Sequence, residues 1–362
     1  MAEALKDLYN YNLISKIANE ITNVYSDFNR DTFIEKIFDE KWEDKTLKER
    51  MRHVTICLGE LLPSNYEKSI EILSSILNKF PTNQLSSIIY PDFVEVYGLE
   101  HWDQSMEALE LFTQHSTSEF AVRPFIVQDQ ERMMAQMLKW STHHNEHVRR
   151  LASEGCRPKL PWGMVLKNLK LDPTPILSIL ENLKEDESLY VRKSVANNLN
   201  DISKDHPNLV LKIAKEWYGK NPNTNWIIKH ACRTLLKKGN IEALTIFGFQ
   251  TTNAINIENF QLQSDKIEIG EDLNFSFKIH SDEPTLTKIR IEFAIDYVKA
   301  KGNRTKKIFK ISENTIEKDK TLSYNKSHSF KNLSTRKHYP GQHTISLLIN
   351  GAECGSCDFI VE

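Results

Sequence analysis

From Leu5 to about Asn240 the apolar residues recur three and four positions apart, the period of an amphipathic helix, and Pro, Gly and Asn punctuate the run at helix-length intervals. Ile72, Leu73, Ile76, Leu77 and Phe80 make one apolar stripe; Val191, Val195, Leu199 and Ile202 make another. Breaks fall at Leu62-Pro63-Ser64-Asn65, Phe80-Pro81-Thr82-Asn83, the stretch from Gly155 to Gly163, Asp172-Pro173, His206-Pro207-Asn208 and Asn221-Pro222-Asn223. After Asn240 the period drops to two: Leu273, Phe275, Phe277 and Ile279 alternate with polar residues, as do Ile289, Ile291, Phe293 and Ile295. Further runs, Ile308 to Ile311, Thr344 to Ile349 and Cys357 to Val361, are separated by turn signals such as Gly302-Asn303 and Asn350-Gly351. The pattern predicts an α + β multidomain chain, an all-α helical solenoid followed by an all-β antiparallel sandwich of immunoglobulin type. The expected domains are residues 1–250 and 256–362, with the boundary between Gly248 and Asn259.

Three helical segments share a Val-Arg-Arg-like start: His147-Val148-Arg149-Arg150, Tyr190-Val191-Arg192-Lys193 and Trp226-Ile227-Ile228-Lys229. Their anchors Val148, Val191 and Ile227 lie at the spacing of two-helix repeats, in which each pair buries its apolar face on a neighbour. Two residues past the anchors stand Arg150, Lys193 and Lys229; six past them stand Glu154, Asn197 and Arg233; ten past Val191 stands Asp201. Steps of four return to nearly the same side of a helix, so stacked repeats would merge these columns into one polar, mostly basic surface with carboxylates set in it.

Charge sharpens that picture. The formal net charge is only −2, but residues 1–118 hold 11 Lys+Arg against 20 Asp+Glu, residues 119–240 hold 20 against 13, and residues 241–362 hold 16 of each. The repeat segment is the basic one, an electrostatic footprint for nucleic acid or, equally on charge alone, a solvated face. The five cysteines are few, odd in number and scattered, which fits a reducing compartment. No secretory start and no apolar run of membrane-spanning length is evident, so the expectation is a cytoplasmic protein with no membrane association.

Candidate chemistry concentrates in the stretch Leu151 to Gly163, where Glu154 ends a helix and Pro158 and Pro161 stiffen a loop carrying Arg157, Lys159 and Trp162. Such a loop can stack on a base or sugar and contact phosphates; alternatively Trp162 caps a helix pair as core. Asp201 on a basic column would need an electrostatic reason, or else pairs with Lys204 or Lys237 at the surface. Glu119, in Ser118-Glu119-Phe120, reads alone as a capping carboxylate. In the sandwich, Lys299, Lys301, Arg304, Lys306, Lys307 and Lys310 crowd one hairpin, enough to clamp a phosphate backbone or merely to block edge pairing. His143 and His147 are four apart without a third ligand in view, and Cys354 and Cys357 lack a second pair, so no metal site is expected. There is no P-loop, dinucleotide fingerprint or nucleophile elbow.

Ser118-Glu119-Phe120-Ala121-Val122-Arg123-Pro124, the stretch His147 to Trp162, and Arg192-Lys193-Ser194-Val195-Ala196-Asn197-Asn198-Leu199-Asn200-Asp201 together resemble the AlkC branch of the AlkC/AlkD-type DNA alkylation repair glycosylases. The resemblance covers residues 100–240 most clearly and leaves the acidic first hundred without a match. It implies HEAT-like repeats with an appended immunoglobulin-like domain, no cofactor, a monomer acting on double-stranded DNA that contains alkylated bases, and location in the bacterial cytosol, nucleoid-associated when bound to DNA. It further implies excision of 3-methyladenine and 3-methylcytosine without full flipping of the lesion. On that reading Asp201, Glu154 and Glu119 are the catalytic carboxylates, while Trp162 packs against the lesion nucleotide. Arg150, Arg157, Lys159, Lys193, Asn197, Arg233, Arg304 and Lys306 bind substrate and DNA. Two rivals remain: a non-catalytic DNA-structure-binding repeat protein, and a protein-binding adaptor, for which apolar anchors should replace the basic columns.

Overall fold

The computed structural model describes residues 5–82, 84–250, 254–333 and 336–362. Asn83 of one expected break, residues 251–253 of the expected boundary, and the first four residues lie outside that set. Contacts gather Met1–Asp205 and Lys220–Ile227 into one compact unit, and His206–Gly219 with Ile228–Glu362 into a second.

The first unit is built from α1 (Tyr11–Val24), α2 (Arg30–Ile37), α3 (Leu47–Leu61), α4 (Tyr66–Ile76), α5 (Ile89–Tyr97), α6 (Trp102–Thr113), α7 (Val122–Gln128), α8 (Gln130–Trp140), α9 (Glu146–Gly155), α10 (Lys167–Leu171), α11 (Thr174–Leu183) and α12 (Leu189–Ile202). Each helix leans on near neighbours in sequence, α1 on α2, α2 on α3, α7 on α8, α8 on α9 and α11 on α12, as a helical-repeat stack requires. The starts are set locally. Asn10, Asn29, Asn65, Asp129 and Asn145 accept hydrogen bonds from the first turns of their helices, and Thr46 with Glu49 forms a reciprocal capping box. The stripes then sink inward: Ile72, Leu73, Ile76 and Leu77, and Val191, Val195, Leu199 and Ile202, are all buried.

The repeat signature has a structural half. Arg149 donates to the carbonyls of His143 and His144 and makes a two-pronged pair with Asp186, at 2.6 and 3.1 Å. Arg192, its equivalent one repeat on, donates at 2.8 Å to the carbonyls of Asp186 and Glu187. In both repeats the arginine one past the anchor reaches five and six residues back and pins the loop that enters its own helix.

Within the second unit α13 (Pro207–Trp217), the end of α14 (Pro222–Ala231), α15 (Arg233–Lys237) and α16 (Ile241–Ile246) accompany the sandwich. One sheet pairs β1 (Ile255–Leu262), β3 (Asp272–Ser281) and β6 (Thr321–Ser329); the other runs β2 (Lys266–Ile267), β8 (Ala352–Val361), β7 (Gly341–Ile349), β4 (Thr287–Val298) and β5 (Arg304–Ile316). Pairing is antiparallel except between β2 and β8. Leu273, Phe275, Phe277 and Ile279 face Ile289, Ile291, Phe293 and Ile295 in one core, as alternating strands dictate. The Asn350-Gly351 turn has φ of 49° and 82°, the positive pair that a tight hairpin demands. Gly351 is also pressed on α16, where an added Cβ would lie 2.6 Å from Leu244.

Two histidines line the interior of this unit: His328, half-buried, whose Nε2 lies 2.6 Å from Tyr297 Oη, and His338, buried. Burial, helped by the Arg336 charge, pushes both down to about 4. Unfolded histidines take up protons near pH 6.5. Stability from these two is therefore complete above that value and is lost as the pH falls from about 6.5 toward 4. An NMR titration should find both imidazole signals flat down to about pH 5; ordinary titration near 6.5 would place them in water.

Candidate active site

Helices α9 and α12 pack side by side, and their spacing is fixed by polar contacts. Ser153 and Ser194 hydroxyls meet at 2.6 Å, and Asn198 Nδ2 donates to the Ser153 carbonyl at 2.7 Å. Cys156 fills the same seam, its thiol pushed up to about 12 by burial and therefore inert. One residue past Ser153 stands Glu154, and Asp201 lies three past Asn198, so the seam carries both acids to the same place.

What joins them is Arg157. Its Nη1 is 2.6 Å from Glu154 Oε1, while Nε and Nη2 hold Asp201 Oδ2 at 2.8 and 2.7 Å. Glu154 Oε1 also meets Arg150 Nη2 at 3.4 Å, and Arg150 Nη1 pairs with Glu119. At the far end Lys204 Nζ holds Asp201 Oδ1 at 2.8 Å. The result is an alternating row, Glu119, Arg150, Glu154, Arg157, Asp201, Lys204, in which side-chain exposure is 14% or less for every member but Lys204, at 39%. Hydrogen bonds and ion pairs among the described residues leave one oxygen of Glu119 and one of Glu154 unengaged, since Oε2 of the former and Oε1 of the latter take them all. Thr117 hydroxyl donates to Glu119, and the Arg150 guanidinium lies 5.1 Å from the Tyr190 ring centre.

Trp162 is not core. It is 63% exposed, and its φ of 64° lies in the left-handed region that costs a bulky residue strain. The strain is held by Arg123, completely buried, whose guanidinium donates to three carbonyls: Gly155 at 2.8 Å, Arg157 at 3.0 Å and Met164, from Nε, at 2.8 Å. From the other side Lys48 donates to the Trp162 carbonyl and lies over the Phe120 ring at 4.8 Å. Burial pulls Arg123 down to about 10, so it is still a cation at neutral pH. Sequence reasoning gave Arg123, Lys48 and Tyr190 no role.

Several of the residues expected to bind DNA lie in ion pairs within the protein. Arg150 and Arg157, expected to hold phosphates, are occupied by carboxylates. Lys159 pairs with Asp205 at 2.8 Å, while Lys193 is exposed and Asn197 half-buried on α12. Arg233 does not continue its column: α14 ends at Ala231, Cys232 has ψ of 2°, and Arg233 opens α15 in the second unit. Lys229 pairs with Glu313 inside that unit. Arg304 and Lys306 lie on β5, an edge strand, with Arg304 donating to Thr344 and Lys306 paired with Glu353, which suits edge protection. His143 meets Glu110 at 3.4 Å, and neither it nor His147 belongs to a three-ligand cluster among the described residues. Cys354 is exposed and Cys357 half-buried against the sandwich core, and both are free thiols.

A family model described as "DNA alkylation repair enzyme" matches residues 112–235, and one described as "Uncharacterised protein YhaZ, C-terminal Ig-like domain" matches residues 256–362. The "Uncharacterized protein YhaZ" of Bacillus subtilis (strain 168) is 56% identical over 357 residues, 99% of each chain. Among solved structures, the Pseudomonas fluorescens alkylpurine DNA glycosylase AlkC bound to DNA containing an abasic site analog superposes at a TM-score of 0.95, with 38% identity over 99% of this chain and all of that one.

Replacing Arg157 by Met should strand two buried carboxylates without a counter-charge. The expected loss is about 3–5 kcal/mol in urea unfolding; a loss under about 1 kcal/mol would show that Glu154 and Asp201 are held by something else.

Proposed function

The chain belongs to the AlkC-type DNA alkylation repair enzymes, and on that premise we propose that it excises cationic N-alkylated bases, 3-methyladenine and also 3-methylcytosine, from double-stranded DNA by hydrolysing the N-glycosidic bond. The observation that carries this reading is the row of three carboxylates strung on two arginines beside an exposed, strained tryptophan.

An alkylated base carries its own positive charge and leaves without a general acid. As the C1′–N bond breaks, its electron pair goes to the ring and neutralises it, and positive charge moves to the sugar. The free oxygens of Glu119 and Glu154 supply negative charge at that point. Water oxygen bonds to C1′, and Asp201, released from Lys204, orients that water and receives its proton for passage to solvent. Trp162 packs against the lesion nucleotide, while Lys193 and Lys159, nearer the surface than Arg150 and Arg157, meet phosphates. No step calls for a metal ion.

Purified protein should release 3-methyladenine from methylated duplex DNA in the presence of a chelator. Asp201→Asn should cut the single-turnover rate by about 10² or more while binding to abasic DNA persists. Tight DNA binding with no release by the wild type would make the protein a scaffold instead. Separately, Lys193→Ala should lower the slope of log affinity against log salt by about one; an unchanged slope removes Lys193 from the DNA.

A further inference from the structure

Beside the carboxylate row, still within the first unit, lies a cleft of about 550 Å³ that the reaction above does not use. Its walls are Met51, Arg52 and Ile56 of α3, Glu95 of α5, and the rings of Phe120 and Trp162. Phe120 follows Glu119 in the chain, and Trp162 closes the loop that begins at Arg157, so the cleft shares two walls with the proposed active site. Most of the exposed lining is apolar. Lys45, Lys48, Glu49 and His53 also border the cleft but are engaged elsewhere, Lys45 and His53 by Asp39, Lys48 by the Trp162 carbonyl and Glu49 by Thr46, which leaves Arg52, Asp92 and Glu95 as its remaining polar group. Within it Arg52 Nη2 bridges Asp92 Oδ1 at 2.8 Å and Glu95 Oε1 at 2.6 Å. Two carboxylates against one guanidinium leave that group with a surplus of hydrogen-bond acceptors.

This combination disfavours a phosphate, which would meet the two acids, and disfavours an aliphatic chain, which would strand them. It suits a flat heterocycle whose face lies on an aromatic ring and whose ring-edge N–H groups meet acceptors. We propose that the cleft is a binding site for the excised base, taking a free N-alkylated purine after the glycosidic bond is cut. The assignment rests on the glycosylase reading, which supplies the purine. Trp162 then serves both sides of the reaction, one part of its surface toward the lesion nucleotide and another toward the departed base. Burial pushes the Asp92 and Glu95 carboxyls up from their usual range, which favours donors at the ring edge that satisfy them.

The test uses the full chain without DNA. Free 3-methyladenine is titrated against wild type, Glu95→Gln and Ile56→Trp, with binding read by ligand-observed NMR. Saturable binding by the wild type, weakened about tenfold or more in both variants, is expected, from one lost charge-assisted hydrogen bond and from a filled cleft respectively. Abasic-DNA affinity should stay within about twofold in both variants, because neither residue belongs to the carboxylate row. Absence of saturable binding at millimolar base, or equal binding by Ile56→Trp, overturns the proposal. Should Ile56→Trp slow excision while leaving free-base affinity intact, the cleft would receive a base still attached to DNA, which also overturns it. A wild type that releases base from methylated DNA yet binds no free base would remove this site alone and leave the glycosylase reading standing.

Discussion

The guanidinium of Arg157, shared between Glu154 and Asp201, is the contact on which the rest of the first unit's polar architecture depends. Two carboxylates this well buried repel each other and resist leaving water; a planar cation that presents separate N–H groups to each removes both penalties at once. Arg157 can do this only because the chain turns sharply after Gly155. That turn is tied by Arg123 to three carbonyls, and the helices on either side are spaced by Ser153, Ser194 and Asn198. Backbone carbonyls fix one arginine, carboxylates fix the next, and the two acids come to rest on a single guanidinium.

Much of this was legible in the sequence because it follows helical and strand periods. Arg150 and Glu154 on α9, and Asp201 on α12, fell on one side because steps of four do so in any helix, and the packing of α9 on α12 made the columns adjacent. In the sandwich, Leu273 to Ile279 and Ile289 to Ile295 declared their strands by strict alternation. The third column failed at Cys232, where a single tightened turn breaks the step of four before Arg233, and no residue type announces it. β6 escaped notice for a different reason. Its residues, Thr321 to Ser329, are mostly polar because its outer face is exposed, and Leu322, Tyr324 and His328 are what it turns to the core.

Arg123 marks a deeper limit. Its partners are carbonyl oxygens, which every residue possesses, so no spacing of side chains could betray them. The available signal was negative: a lone cation between Ala121-Val122 and Phe125-Ile126, all of them buried, must have its donors satisfied inside the protein. Likewise, the sequence showed cations and acids on one face without showing that Arg150 and Arg157 would neutralise the acids. Residue type fixes charge, whereas geometry decides which charges are already spoken for.

The row from Glu119 to Lys204 holds three anions and three cations and, taken whole, has no charge. Its one well-exposed member is the lysine at the end, and displacing it would uncover a single negative unit. A normal nucleotide, electrically neutral at its base, offers nothing in exchange for that lysine and leaves the row closed. On the proposed function a quaternised base brings its own plus sign, which would repel that lysine and free Asp201 for the water. Discrimination would then begin with charge at one seat, before any part of the base's shape is compared.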